Sequence, residues 1–244
     1  MAESDWSVAS GSLPLGDLAR GSVSTLGVPG PNGGGAFVHG FRAVTATAGV
    51  TALYVADADY NPTAKGLRLF NAAMTRLNSG SVQNLPLIFG QLQGTDVSNV
   101  AYVLGLSETS PSRLVLAKTT LDAGLPEITV DPLNNGVLAV GTQPITDGAW
   151  IHVQLGVNVQ PNDDVFLSVL QSDNVANTVQ SPDFQPVAGM DEVSPGQGIA
   201  FIDDGLGINS GSAPLLTGRA GFGFVTRAQG SRGAMDHLEL ARQL

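Results

Sequence analysis

The 244-residue sequence contains no cysteine. This absence excludes a disulfide framework, a thiol nucleophile and thiolate metal ligands. It leaves the redox compartment open, because a chain of this size can fold without covalent cross-links. Hydrophobic residues make up 43% of the chain, and a domain of this length buries roughly 70–75% of the surface that its unfolded state exposes. The sequence therefore predicts a globular core and excludes disorder.

Charged residues are also scarce. They form 13% of the chain, compared with a usual share of about 25%. The 21 acidic residues outnumber the 11 basic ones, which gives a formal net charge of −10. Because a negative surface repels a phosphate backbone, we expect no nucleic-acid partner. Glycine and proline are frequent instead, with 31 and 14 residues, as is typical of a β protein with many turns.

Long hydrophobic runs are missing as well. One nearly uncharged stretch, residues 89–107, is interrupted by three glycines and Asp96. It falls well short of the roughly 20 apolar residues that a membrane-spanning helix needs. The first twelve residues carry Glu3 and Asp5 and lack the basic and apolar segments of a secretory signal. We therefore expect no membrane partner and no signal peptide.

Short apolar segments alternate with turn residues along most of the chain. Gly, Pro, Asn and Asp recur between them, a pattern typical of an all-β sandwich with antiparallel strands. Residues 67–77 fit both a helical spacing and a strand with a bulge, and their context favours the strand. The other predicted strands are 6–9, 36–46, 52–56, 85–92, 100–106, 114–118, 137–140, 150–159, 165–172, 198–203, 221–226 and 234–240.

Residues 150–172 show the clearest strand pattern. Five apolar residues at odd positions from 151 to 159 alternate with polar residues or glycine, and a second alternating run begins at Val165. A period of two indicates half-buried strands. Pro161 and Asn162 between the runs are residues that favour a turn. The sequence predicts an antiparallel hairpin here.

The chain shows no internal division after its first 35 residues. We find neither a linker nor a repeat, and we predict one β-sandwich domain over residues 36–244. Residues 1–35 are rich in Ser, Gly and Pro and include Trp6 in a strand-like segment. They form either an N-terminal arm that orders against a neighbouring subunit or the first edge strand of the sandwich. Both alternatives stay open.

One acidic segment is the best candidate for a metal site. Asp203, Asp204 and Asn209 lie in a glycine-rich stretch, and hard oxygen ligands on such a loop suit Ca²⁺. The alternative, which we favour, is a polar turn whose carboxylates accept backbone N–H bonds.

The three histidines are far apart in sequence and lack ligand spacing, so we expect structural roles for them. They are His39, His152 and His237.

Catalytic motifs are not apparent. Glycosidases need two carboxylates across the scissile bond, but the five glutamates are widely separated and do not form a Glu-x-Asp-x-x-Glu pattern. No Gly-x-Ser-x-Gly nucleophile turn and no Gly-Lys-[Ser/Thr] phosphate loop occurs. We expect a protein that is not an enzyme and that uses no cofactor.

Trp150 is a special case among the few aromatic residues. It follows a predicted turn at Asp147 and Gly148 and begins the predicted strand 150–159, where a large ring can cover one face of a sheet. A sugar-stacking platform is the alternative. Such platforms usually combine several aromatic side chains, whereas aromatics are 6% of this chain and only two are Trp. We expect Trp150 to be buried.

Seven segments in this order resemble a family of tailed-bacteriophage virion structural proteins. They are residues 33–41, 94–107, 113–125 with Lys118, 147–153, 201–211, 221–224 and 235–239, and they span nearly the whole chain. Members of this family are similar in outline to the concanavalin A-like lectin and glucanase jelly roll. The resemblance therefore implies a β-sandwich of that kind.

The resemblance also implies a function. It points to a non-enzymatic virion structural protein that decorates or cements the capsid, or that belongs to the neck or tail. The implied partners are other virion proteins, contacted in many copies or as a homo-oligomer, and the implied location is the virion after synthesis in the host cytoplasm. The alternative is a carbohydrate-binding module for host adhesion on the same particle.

Overall fold

A computed structural model shows an all-β protein with two antiparallel sheets. The structure describes residues 6–8, 18–21, 40–43, 51–56, 65–77, 84–94, 96, 98–107, 111–120, 136–172, 183–206, 212–226 and 232–242. These residues contain fifteen strands and no helix. Accordingly, no helix within these ranges is long and apolar enough to cross a membrane.

The strands follow one another along the whole chain. They are β1 Trp6–Val8, β2 Leu18–Gly21, β3 Gly40–Ala43, β4 Thr51–Ala56, β5 Gly66–Leu77, β6 Asn84–Leu92, β7 Val100–Leu106, β8 Leu114–Thr120, β9 Val137–Val140, β10 Ile151–Val159, β11 Val165–Ser172, β12 Gln185–Pro186, β13 Ile199–Asp203, β14 Arg219–Thr226 and β15 Arg232–Arg242.

The strands form a seven-stranded and an eight-stranded sheet. The order of the first is β1-β4-β14-β6-β7-β8-β9, and that of the second is β12-β11-β10-β5-β15-β3-β2, with β13 paired to β11. Strands that are distant in sequence therefore lie side by side, as β14 does between β4 and β6. The predicted all-β antiparallel sandwich is confirmed.

The core lies between the two sheets and is built from alternate residues of their central strands. Ile88, Leu104 and Leu116 stand side by side on β6, β7 and β8, and all three are fully buried. The facing strand β10 comes close to this layer, because a Cβ added at Gly90 would lie 3.2 Å from Cγ2 of Val157. The inward-facing side chains of both sheets thus form one continuous core.

The predicted hairpin is confirmed. β10 and β11 pair from His152 opposite Ser172 to Val159 opposite Val165. Residues 66–77 form the strand that their context favoured, since β5 pairs with β10 on one side and with β15 on the other. Trp150, which directly precedes β10, is 9% exposed. Its predicted burial is therefore confirmed.

Two short strands were not predicted, and both lie near the ends of the sheet order. β2 pairs with β3, and β12 pairs with β11. β1 pairs with β4 at the end of the seven-stranded sheet. The division into residues 1–35 and 36–244, and a contact of the first segment with a neighbouring subunit, stay predictions.

The central strands of the seven-stranded sheet are buried on both faces. Phe89, Val103 and Ala117 stand side by side on the face opposite to the core layer. Each of these side chains is at most 1% exposed. The outer face of this part of the sheet is therefore not open to solvent.

Candidate functional site

The candidate site is built around Asp203, the last residue of β13. Its side chain is fully buried. Oδ2 accepts hydrogen bonds from Lys118 Nζ and from the Tyr102 hydroxyl, each at 2.6 Å. Oδ1 accepts a hydrogen bond from the backbone N–H of Gly205 at 3.1 Å. Both carboxylate oxygens are therefore held by protein donors.

The register of two neighbouring strands brings the partners of Asp203 together. Tyr102 on β7 is directly opposite Lys118 on β8. Both continue the core-facing side of their strands, which also carries Leu104 and Leu116. β13 belongs to the other sheet, so the Asp203–Lys118 ion pair joins the two sheets inside the sandwich.

Lys118 uses its remaining donors on the two described segments between β13 and β14, residues 204–206 and 212–218, which together we call the β13–β14 loop. Its Nζ donates to the carbonyl of Ser212 at 2.7 Å and to that of Ala213 at 3.0 Å. With Asp203 these acceptors account for the three N–H groups of the ammonium. The nitrogen also lies 5.9 Å from the centre of the Tyr102 ring.

Tyr102 connects Asp203 to the same loop. Its hydroxyl donates to Asp203 and accepts a hydrogen bond from the backbone N–H of Leu215 at 3.0 Å. Burial raises the pKa of Tyr102 far above its usual value, and the hydrogen bond to Asp203 raises the pKa further. The phenol therefore stays protonated at neutral pH and remains a donor to the carboxylate.

Gln91 of β6 and Gln93, which follows directly after this strand, bind the end of the loop through their amide side chains. Gln91 has a positive φ of 58° within a bulge of the ladder between β6 and β14. Its Nε2 donates to the carbonyl of Leu216 at 3.3 Å, and Gln93 donates to the carbonyl of Thr217. The backbone of residues 212–217 thus forms hydrogen bonds with four polar side chains, those of Gln91, Gln93, Tyr102 and Lys118.

The beginning of the loop faces solvent. Asp204 is exposed, and its Oδ1 accepts a hydrogen bond from the backbone N–H of Leu206 at 2.9 Å. The Leu206 side chain is 87% exposed. A fixed carboxylate and a large apolar side chain therefore lie at the surface, directly after a buried polar anchor.

The predicted calcium ligands do not share one environment. Asp203 is buried, Asp204 is exposed, and Asn209 lies outside the described residues. The hydrogen bonds to Gly205 and Leu206 are those expected of a polar turn. The described ranges contain no group of three or more His, Cys, Asp or Glu side chains that could hold a metal ion. The choice between calcium binding by Asp203, Asp204 and Asn209 and the polar turn that we favour stays a prediction.

Of the three histidines, only His152 has a described side chain. It is 5% exposed and lies on β10, with its ring centre 6.1 Å from that of Phe184. His39 lies outside the described residues, and for His237 the structure describes only its place in β15.

Sequence reasoning named Asp203 but missed its partner Lys118. The available signal was a lysine at the core-facing position two residues after Leu116.

Comparisons with known proteins identify the fold. No protein-family model and no curated protein sequence matches this chain. The cellulose induced protein Cip1 has a TM-score of 0.51 and 10% identity, and the match covers 100% of this chain and 94% of that one. The metal-free carbohydrate recognition domain of Emp46p has a TM-score of 0.50 and 9% identity, over 99% of this chain and 89% of that one.

A third solved structure, the PL-14 alginate lyase of Aplysia kurodai, has a TM-score of 0.48 and 9% identity, over 84% of each chain. Identities this low show the fold alone. The concanavalin A-like jelly-roll fold is confirmed by the two structures with TM-scores of 0.51 and 0.50.

Proposed function

We propose that this protein is a carbohydrate-binding domain without catalytic activity. The observation that carries the proposal is the β13–β14 loop, whose exposed residues are presented by an anchor of buried polar side chains. A loop that is fixed before binding loses less conformational entropy when a ligand arrives. The fold likeness to a carbohydrate recognition domain supports the same function.

The loop offers the two kinds of contact that a sugar needs. A saccharide presents hydroxyl donors beside apolar C–H surfaces. Asp204 provides a charged acceptor at the surface, and Leu206 provides an apolar contact. Hydrogen bonds to an ionised acceptor are the stronger class. Because the outer face of β6–β8 is buried, the loop is a better candidate for the binding site than that side of the sheet.

The anchor supports binding rather than hydrolysis. A glycosidase pairs two carboxyl groups across the scissile bond, roughly 5–9.5 Å apart. Asp203 is the single carboxylate of the buried cluster, and its charge is matched by Lys118. A buried and ion-paired carboxylate is poorly placed to donate a proton to a substrate or to attack it.

A binding panel tests the proposal. The wild-type protein and the double variant Asp204→Ala with Leu206→Ala are measured against soluble polysaccharides and immobilised glycans. We expect the wild type to bind at least one of them, and the double variant to bind about tenfold or more weakly, because a charged hydrogen bond contributes about 1.5–3 kcal/mol.

The control replaces a similar pair of exposed side chains elsewhere. Asp183→Ala with Val193→Ala removes an exposed acid and an exposed apolar group, and it should bind like the wild type. Failure of the wild type to bind any glycan in the panel would contradict the proposed function. Equal loss in both double variants would contradict the proposed site.

The order of the seven sequence segments supports a second proposal, a structural role in a tailed-phage particle. In this function the chain attaches to capsid, neck or tail proteins in many copies or as a homo-oligomer. A carbohydrate-binding domain on a virion would combine both proposals as a host-adhesion element. Mass spectrometry of purified particles tests the virion role, and a particle preparation that lacks the chain would refute it.

A further inference from the structure

The surroundings of the Lys118 ammonium have the form of a cation site. Three oxygen atoms lie within 3.0 Å of Nζ, namely Asp203 Oδ2 and the carbonyls of Ser212 and Ala213. One carboxylate combined with backbone carbonyls is a donor set that hard metal cations also use. Here the chain's own ammonium group occupies the centre of that set.

Burial makes the loss of the positive charge beside Asp203 costly. The side chains of Lys118 and Asp203 are 1% and 0% exposed. Removing one partner of such a pair leaves an uncompensated charge inside the protein, which is strongly destabilising. The two carbonyls alone could not compensate Asp203, because they are acceptors and present negative ends to it.

The same ammonium joins the two described segments of the β13–β14 loop. Asp203 directly precedes the first segment, whereas Ser212 and Ala213 begin the second. A single charged group therefore links residues on either side of the loop. This is the task that a bound ion performs when it gathers ligands from separate parts of a chain.

We propose that Lys118 is a tethered structural cation which orders the β13–β14 loop in place of a bound metal ion. A divalent cation on Asp203 Oδ2 would have to enter beside the ammonium or displace it, and two cations next to one buried carboxylate repel each other. Folding of the loop is then independent of Ca²⁺. This inference concerns the loop itself and does not depend on the carbohydrate-binding function.

The first measurement uses the wild-type protein. Its melting temperature is recorded after treatment with EDTA and again with millimolar CaCl₂. We expect the two values to agree within about 1 °C, because a cation that does not bind the native state does not stabilise it. A fall of several degrees in EDTA that CaCl₂ reverses would overturn the proposal.

The second measurement replaces the tethered cation with a free one. Lys118→Ala removes a propylammonium group and should lower the melting temperature by roughly 6–20 °C. Added propylammonium chloride should restore part of this loss, whereas 1-propanol, which lacks the charge, should not. A variant that melts like the wild type, or that responds equally to both compounds, would overturn the proposal.

A third comparison covers the case in which Lys118→Ala does not fold. Lys118→Met leaves Asp203 unpaired, whereas Lys118→Met with Asp203→Asn removes both charges. We expect the double variant to melt higher than the single variant, or to fold where the single variant does not. A double variant that is no more stable than Lys118→Met would contradict a role for the ammonium charge.

Discussion

Tyr102 shows how one residue can belong both to the core and to the candidate site. Its ring is fully buried among the residues between the sheets. Its hydroxyl connects Asp203 to the backbone of Leu215. Because the hydroxyl both donates and accepts, replacement by Phe keeps the ring and removes only the polar connection.

We expect Tyr102→Phe to alter both the stability and its pH dependence. Leaving the Leu215 N–H and one Asp203 lone pair unsatisfied should lower the free energy of unfolding by about 1–3 kcal/mol. In the wild type the raised pKa of Tyr102 stabilises the folded state fully below pH 10, the ordinary value for Tyr. Above that pH the unfolded chain loses this proton while the folded chain keeps it.

The wild-type free energy of unfolding should therefore fall above pH 10 with a component of about 1.4 kcal/mol per pH unit from Tyr102. Denaturant titrations between about pH 8 and pH 11 measure this slope. The Phe variant should lack that component. Identical slopes for the two proteins would contradict the described environment of the phenol.

Residue type alone identified only part of the site. Asp203 and Asp204 stood out in the sequence because they are adjacent acids in a glycine-rich segment. Lys118 is 85 residues away from Asp203, and no local pattern links the two. The pairing depends on the packing of one sheet on the other, which a single sequence does not reveal.

At the scale of elements, the bulge in β6 fixes the end of the β13–β14 loop. Gln91 opposes the start of β14 where the ladder shifts between Arg219 and Gly221. Gly218 lies against the Gln91 backbone with a φ of 147°, and an added Cβ would be 2.6 Å from the Gln91 carbonyl oxygen. Such a contact with backbone cannot be relieved by a side-chain rotation.

We expect Gly218→Ala to be much more destabilising than Gly196→Ala. Gly196 also has a positive φ, 84°, but an added Cβ would meet no atom within 4 Å. The Gly196 variant should cost about 1 kcal/mol from backbone strain alone. The Gly218 variant should cost at least about 3 kcal/mol, because the steric contact adds to the strain. Denaturant unfolding compares them, and equal losses would argue against the close approach to Gln91.

Strands were predictable where one face was polar and the element was long. β10 shows a clear alternation because Gln154 and Asn158 on its outer face are polar and half-buried. β5 was ambiguous because Leu69 lies on its outer face beside Gly156, so the polar alternation is interrupted. β12 has two residues, which is too short for any periodicity to be detected.

At the scale of the whole molecule, the buried outer face of β6–β8 leaves no open surface for a ligand on that part of the seven-stranded sheet. The exposed residues Asp204 and Leu206 of the β13–β14 loop are the surface that we propose instead. The loop is attached to three strands of one sheet and to β13 of the other. A ligand that binds the loop should therefore reduce the motion of the residues that these hydrogen bonds connect.

The central claim is that this loop forms the carbohydrate site. Hydrogen–deuterium exchange tests it directly, with and without the saccharide that binds best in the glycan panel, and in the presence of EDTA. We expect slower exchange at residues 204–206 and 212–218 in the complex, with β11 unchanged. A saccharide that slows exchange in the strands of the eight-stranded sheet and leaves this loop unaffected would contradict the proposed site.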